Sequence, residues 1–207
     1  MMTLHSLFIA FLCLTALQAN ATTFSLVRHG QTDWNRENRL QGQSDIPLNA
    51  AGKSEAVALR DTLEGTPFHA CYSSDLQRAE ETARILLQSH PIELTTDARL
   101  RERYFGAWEG YLRSELPFEE YLDQPDVESD PSMCSRIFAF LDEMAENHPG
   151  EHLLIVSHGG VMRNVISHIR SDIPFLFDIK VANMALLEIK GADGHYEIEK
   201  MQGVTIP

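Results

Sequence analysis

The chain has 207 residues, 43% hydrophobic and 23% charged, an ordinary globular composition that excludes intrinsic disorder and supplies a real core. Its 17 basic and 30 acidic residues leave a formal net charge of −13. Such a surface repels nucleic acid and anionic membranes, and it makes any anion-binding site a local exception.

The N-terminus reads as a targeting segment. Leu7 to Leu17 is a compact apolar run, short for a bilayer span. Ala19-Asn20-Ala21 fits the small-x-small rule for signal-peptidase cleavage, so residues 1–21 are expected to be a signal peptide and the protein periplasmic or secreted. The preceding MMTLHS lacks Lys and Arg, which keeps an uncleaved anchor or a mis-assigned start open, and with it a cytoplasmic location. After cleavage no membrane contact is expected, and residues 22–207 would form one domain. Cys13 would leave with the signal. Cys71 and Cys134 remain able to pair if their backbones approach closely enough, although Cys71 reads better as a small core residue.

Phe24 to Val27 is a short apolar strand that runs into Arg28-His29-Gly30. Asn49 to Leu63 has helical spacing, with Ala56, Leu59 and Leu63 on one stripe. Phe68 to Ser73 reads as a strand, followed by a helix from Asp75 to Gln88 capped by Ser74. Leu100 to Gly110 is loop-like. Residues 111–131 are acidic, carry three prolines and suit a surface excursion over one side of a site. Ser132 is placed as the cap of a helix running to Asn147. Leu153 to Val156 is an unbroken apolar strand, the pattern of a sheet covered on both faces. Ser157-His158-Gly159-Gly160 follows, then a helix to Ile169. Met184 to Ile189 and Tyr196 to Glu199 read as a closing hairpin, whose edge keeps a homodimer open. Strands alternating with helices predict a three-layer α/β/α sandwich around a largely parallel sheet.

Three segments share one design, a strand end followed by polar residues: 27–35, 72–83 and 156–160. Strand ends of an open α/β sheet meet at one edge, so Arg28, His29, Arg78 and His158 are candidates to converge there. Helices beginning after Ser74 and at Gly159 would add N–H groups that favour an anion. The chain has no CxxC or His-rich spacing that points to a metal.

RHGQTDWNRENRLQGQSDIPLNAAGKSEA, YSSDLQRAEETA, LRERYFGAWEG and VSHGG together resemble the blocks of the histidine phosphatase superfamily, in its phosphoglycerate-mutase-like branch (branch 1). The resemblance implies a phosphoglycerate mutase-like fold and chemistry without metal or cofactor. It implies that His29 attacks phosphorus to give a phosphohistidine that water hydrolyses. Arg28, Arg78 and His158 would hold the phosphoryl oxygens, joined by Asn35, with Gln41 at the pocket edge. Glu102 matches the family's proton donor and must carry a proton when substrate arrives, which a phosphate dianion beside it would favour. Glu109 in the same block reads as structural, and Trp34 and Trp108 as packing residues. His148 and His152 read as surface residues, because Pro149-Gly150 prevents a helical ligand pair.

The partner implied is a small phosphorylated metabolite. Only 55 residues separate Glu102 from His158, with Arg103, Arg113 and Arg136 as their basic residues, too short an insertion for a mutase's sugar-acid clamp. Arg103 directly after Glu102 follows the mutase pattern, so phosphoglycerate mutase stays as the alternative, beside α-ribazole phosphatase. A non-catalytic binding protein on this scaffold would lack one of His29, Arg78, Glu102 or His158, and none is missing.

Overall fold

The computed structural model describes residues 20–116, 124–170, 172–173 and 179–206. Residues 1–19 of the proposed signal peptide and residues 117–123 of the expected surface excursion lie outside the described residues.

Leu153, Leu154, Ile155 and Val156 are all fully buried in strand β4 (His152–Ser157), which stands at the centre of the sheet. Alternate side chains of a strand point to opposite faces, and here the faces belong to different cores. Leu153 and Ile155 join Phe24, Leu26, Phe140 and Ile166, whereas Leu154 and Val156 join Val27, Cys71, Ala83 and Leu86. That double burial is why the run lacks polar alternation.

The other strands are β1 (Thr22–Arg28), β2 (Ala70–Ser73), β3 (Leu94–Thr96), β5 (Lys180–Ala192) and β6 (His195–Thr205). Their order is β3-β2-β4-β1-β5-β6. The first four are mutually parallel, and β5 and β6 close the sheet as an antiparallel pair. Both hairpin strands extend well beyond the apolar stretches that betray them in sequence. Strand β3 has no such stretch, being three half-buried or exposed residues at the sheet edge.

Helix α1 (Asp33–Arg36) is a single turn closed by a Thr32–Asn35 capping box. Helices α2 (Ala50–Leu63) and α3 (Gln77–Leu86) cover one face, while α4 (Asp130–Asn147) and α5 (Gly159–Ile169) cover the other. Asn49 caps α2 by accepting from Gly52 N–H. Two expected starts need correction. Helix α3 begins at Gln77, not Asp75, because the Ser74 hydroxyl accepts from Leu76 N–H within the turn and makes no cap bond to the helix. Helix α4 begins two residues before Ser132, at Asp130, capped by Ser129 with Pro131 in its first turn, where the missing N–H has no partner to lose.

Cys71 is buried in β2 and Cys134 lies on α4, and both are free thiols. The expectation that His148 and His152 are simple surface residues is also corrected. Both are half-buried: His148 bonds Tyr72 and Glu151, and His152 bonds the Ser25 hydroxyl at 2.9 Å.

Candidate active site

Parallel pairing sets Arg28 opposite Ser157, and Ser73 opposite Val156. The carboxyl ends of β1, β2 and β4 therefore stop at one edge, which brings the three polar segments together from distant positions. Arg28, His29, Asn35, Gln41, Arg78 and Glu102 line a single cavity there, of about 40 Å³. One water-sized group needs about 10–15 Å³ on this measure, so the space suits a group about the size of a phosphoryl.

His29 is 3% exposed. Its Nδ1 lies 2.7 Å from the Gly30 carbonyl, an atom that can only accept, so Nδ1 carries the proton and Nε2 keeps its lone pair. Burial, then the charges of Arg78 and Arg28, hold the ring well below the usual histidine value. The imidazole is neutral at neutral pH. Asn183 donates to the His29 carbonyl at 3.0 Å and to Asn35 Oδ1 at 3.2 Å. It sits where β5 slips register between Val181 and Leu186, beside Met184 with φ +56°. This bulge, which nothing in the residue pattern announces, turns a strand side chain into the site.

Arg78 is fully buried on α3, its Nη2 donating to Gly42 O at 2.7 Å and its Nη1 to Ser44 O at 2.9 Å. Arg28 donates from Nη1 to Val181 O at 2.5 Å. Burial lowers each guanidinium to about 10, which leaves both charged. Arg28 Nε, Arg78 Nε and both ring nitrogens of His158 are buried without a hydrogen-bond partner among the described residues. His158 is fully buried, with its ring edge-on to His29 at 5.2 Å between centroids. A buried polar group left unpaired costs about 1–3 kcal/mol. Arg28 and Arg78 line the cavity, where their unpartnered Nε–H groups call for an acceptor-rich ligand, whereas His158 is not on the cavity wall and meets the site through its ring contact with His29.

Asn35 Oδ1 accepts from Thr32 N–H, and Gln41 Oε1 accepts from the Thr32 hydroxyl at 2.8 Å. Glu102 reaches the cavity from the loop after Leu100. Ser157 Oγ grips the Leu100 carbonyl at 2.7 Å, and Arg136 grips the carbonyls of Arg99 and Arg101. Glu109 does not line the cavity. It accepts from Gln43 N–H, Phe105 N–H, Ser44 N–H and the Ser44 hydroxyl, tying two loops together. Neither tryptophan lines the cavity either: Trp34 packs by Gly110 and Trp108 against the Leu40–Phe105–Val127 cluster.

The expectation that helix N–H groups face the ligand is corrected at the start of α3, where Asp45 takes the first N–H, from Gln77. On α5, Glu102 takes the second N–H, from Gly160, while Gly159 lines the cavity. Further positive charge comes from two more arginines on the cavity wall, Arg113 and Arg163. Four guanidinium groups against one carboxylate make the local exception that the net charge demands. Arg163 lies outside the polar blocks, three residues into an apolar helix pattern, and only its one-turn spacing from Gly160 hinted at its face.

The pattern of the histidine phosphatase superfamily (branch 1) matches residues 24–203, nearly all of the described chain. The chain belongs to this superfamily. It is 30% identical over 184 residues to the uncharacterized phosphatase PhoE of Bacillus subtilis, covering 86% of this chain and 93% of that one. It is 36% identical over 156 residues to the probable phosphoglycerate mutase GpmB of Salmonella arizonae, covering 70% and 73%. Among solved structures, YhfR of Bacillus stearothermophilus superposes with a TM-score of 0.79 at 31% identity, over 88% of this chain and 97% of that one. This histidine phosphatase thus has the expected phosphoglycerate mutase-like sandwich, with relatives named for hydrolysis and for phosphoryl transfer.

Proposed function

We propose that the chain hydrolyses small phosphomonoesters through a phosphohistidine on His29. The observation that carries this reading is the pair of buried, unpartnered Nε–H groups of Arg28 and Arg78 on the wall of a cavity that the neutral His29 ring also lines, with the His158 ring packed against His29. His29 Nε2 attacks phosphorus as the bond to the leaving oxygen breaks, and Glu102 gives that oxygen a proton. Water then attacks the phosphohistidine, Glu102 takes the water's proton, and His29 is regenerated. Arg28 and Arg78 hold the phosphoryl oxygens, with Asn35 and Gln41 at the rim. His158 donates as charge spreads in the transition state.

Two features keep phosphoglycerate mutase as the second reading: the relative named GpmB, and Arg103 directly after Glu102. Arg103, however, is buried and spends its guanidinium on the Glu128 carbonyl and on Asp130, away from the cavity. A metal-free panel of p-nitrophenyl phosphate, sugar phosphates, phosphoglycerates, nucleotides and α-ribazole phosphate tests both. Phosphate release that disappears in His29→Ala supports hydrolysis through His29. Release retained in that variant overturns it, and interconversion of 2- and 3-phosphoglycerate with bisphosphoglycerate, without release, makes the chain a mutase. Export with cleavage after Ala21 belongs to the same proposal, and N-terminal sequencing of the mature protein tests it.

A further inference from the structure

The carboxylate of Glu102 is held by α5 as much as by its own loop. Oε2 accepts from Gly160 N–H at 2.9 Å, and Oε1 accepts from Arg103 N–H at 2.9 Å. The approach is so close that a Cβ on Gly160 would lie 2.0 Å from Oε1. One turn along α5, three residues after Gly160 and so on neighbouring surface, Arg163 lines the same cavity.

We propose that Arg163 is a positioning residue that acts as a shared counter-ion. In the empty site its charge keeps Glu102 a carboxylate, and in the occupied site the same charge is compensated by the substrate's phosphate. Glu102 then takes one proton from solvent and passes it to the leaving oxygen as the His29 Nε2–P bond forms and the P–O bond breaks. The inference rests on Glu102 being the acid and adds when it becomes one.

Other charges also face Glu102. Arg78 from α3 is fastened to Gly42 O and Ser44 O, and Arg28 from β1 to Val181 O. Arg136 from α4 meets only the Glu102 carbonyl, at 3.3 Å, and is paired with Glu128. Arg113 lines the cavity from an exposed turn. His29 and His158 are held neutral by burial and by the arginines. Burial alone pushes the Glu102 carboxyl up. Arg163, the two N–H groups and Arg78 outweigh it and leave it below the ordinary carboxylate value.

The test is the pH dependence of kcat/KM, which reports groups of the free enzyme, for an alkyl phosphate with wild type, Arg163→Met and Arg163→Lys. The substrate's own ionisation is common to all three. Loss of an adjacent cation moves a carboxyl by about 1–3 pH units. The ratio of Arg163→Met to wild-type kcat/KM is therefore expected to rise about tenfold between pH 4.5 and 7, while Arg163→Lys gives a flat ratio. A flat ratio for Arg163→Met, with or without a raised KM, overturns the proposal and leaves Arg163 a substrate contact or a bystander. Failure of the acid reading itself looks different: Glu102→Gln would then turn over the alkyl phosphate at the wild-type rate.

Discussion

Replacing Glu109 by alanine is expected to damage stability and catalysis together, although the residue never touches the cavity. Its carboxylate accepts at 2.8 Å from Gln43 N–H, 3.1 Å from Phe105 N–H, 2.7 Å from Ser44 N–H and 2.6 Å from Ser44 Oγ. Each hydrogen bond to a charged group is worth about 1.5–3 kcal/mol. The four are not additive, because Glu109 is half-buried and water can replace part of the set, so a total of about 3–5 kcal/mol follows. With an m-value of about 3 kcal/mol/M, the upper end for small proteins, the urea midpoint drops by about 1–1.7 M at unchanged m. The same loop supplies Gly42 O and Ser44 O, which aim Arg78. A displacement of about 1 Å there lowers turnover about 10²-fold. Urea unfolding followed by circular dichroism and kcat on p-nitrophenyl phosphate measure the two effects. A midpoint shift under about 0.3 M would refute the hydrogen-bond accounting. A large shift with intact kcat would refute the link from Glu109 through the loop to Arg78.

Gly160→Ala sets a methyl against the Glu102 carboxylate and is expected to lower kcat on an alkyl phosphate about 10²-fold more than on p-nitrophenyl phosphate, whose leaving group needs little protonation. Equal losses on the two substrates would argue against Glu102 as the acid. Stability is expected to fall as pH drops below about 6.5. Burial lowers His29, His158, His90 and His152, so the unfolded chain binds more protons than the native one in that range. The slope is at most about 1.4 kcal/mol per pH unit for each histidine. His158→Asn, which removes one of these groups, flattens the dependence of the urea midpoint between pH 5 and 7.5, whereas a wild-type midpoint constant over that range contradicts the burial argument.

Much of this molecule was legible in the residue order because the relevant signals are local. An apolar run of four residues marks β4, and the polar triplets after β1 and β4 mark the sheet edge where Arg28, His29 and His158 meet. Glu109 was recognisable as structural from its block, but its four donors were not, since they lie up to 66 positions away. The start of α3 moved by two residues because Ser74 closes a turn and does not cap the helix, and that of α4 by three because Ser129, not Ser132, is the cap. Strand β3 was invisible for a related reason: an edge strand of three residues buries too little to leave a pattern.

The candidate site residues and the alternation of strands and helices, β3 excepted, were thus written in short stretches of sequence. Tertiary structure alone decided their surroundings. It brought Arg163 to the cavity wall and Asn183 onto the His29 carbonyl, turned the Gln77 and Gly160 N–H groups over to Asp45 and Glu102, and left Arg28 Nε, Arg78 Nε and the His158 ring nitrogens without partners among the described residues. The physical reason is that residue type sets what a side chain can do. Strand register, a bulge in β5 and the burial of charge beside charge set what it has to do it with.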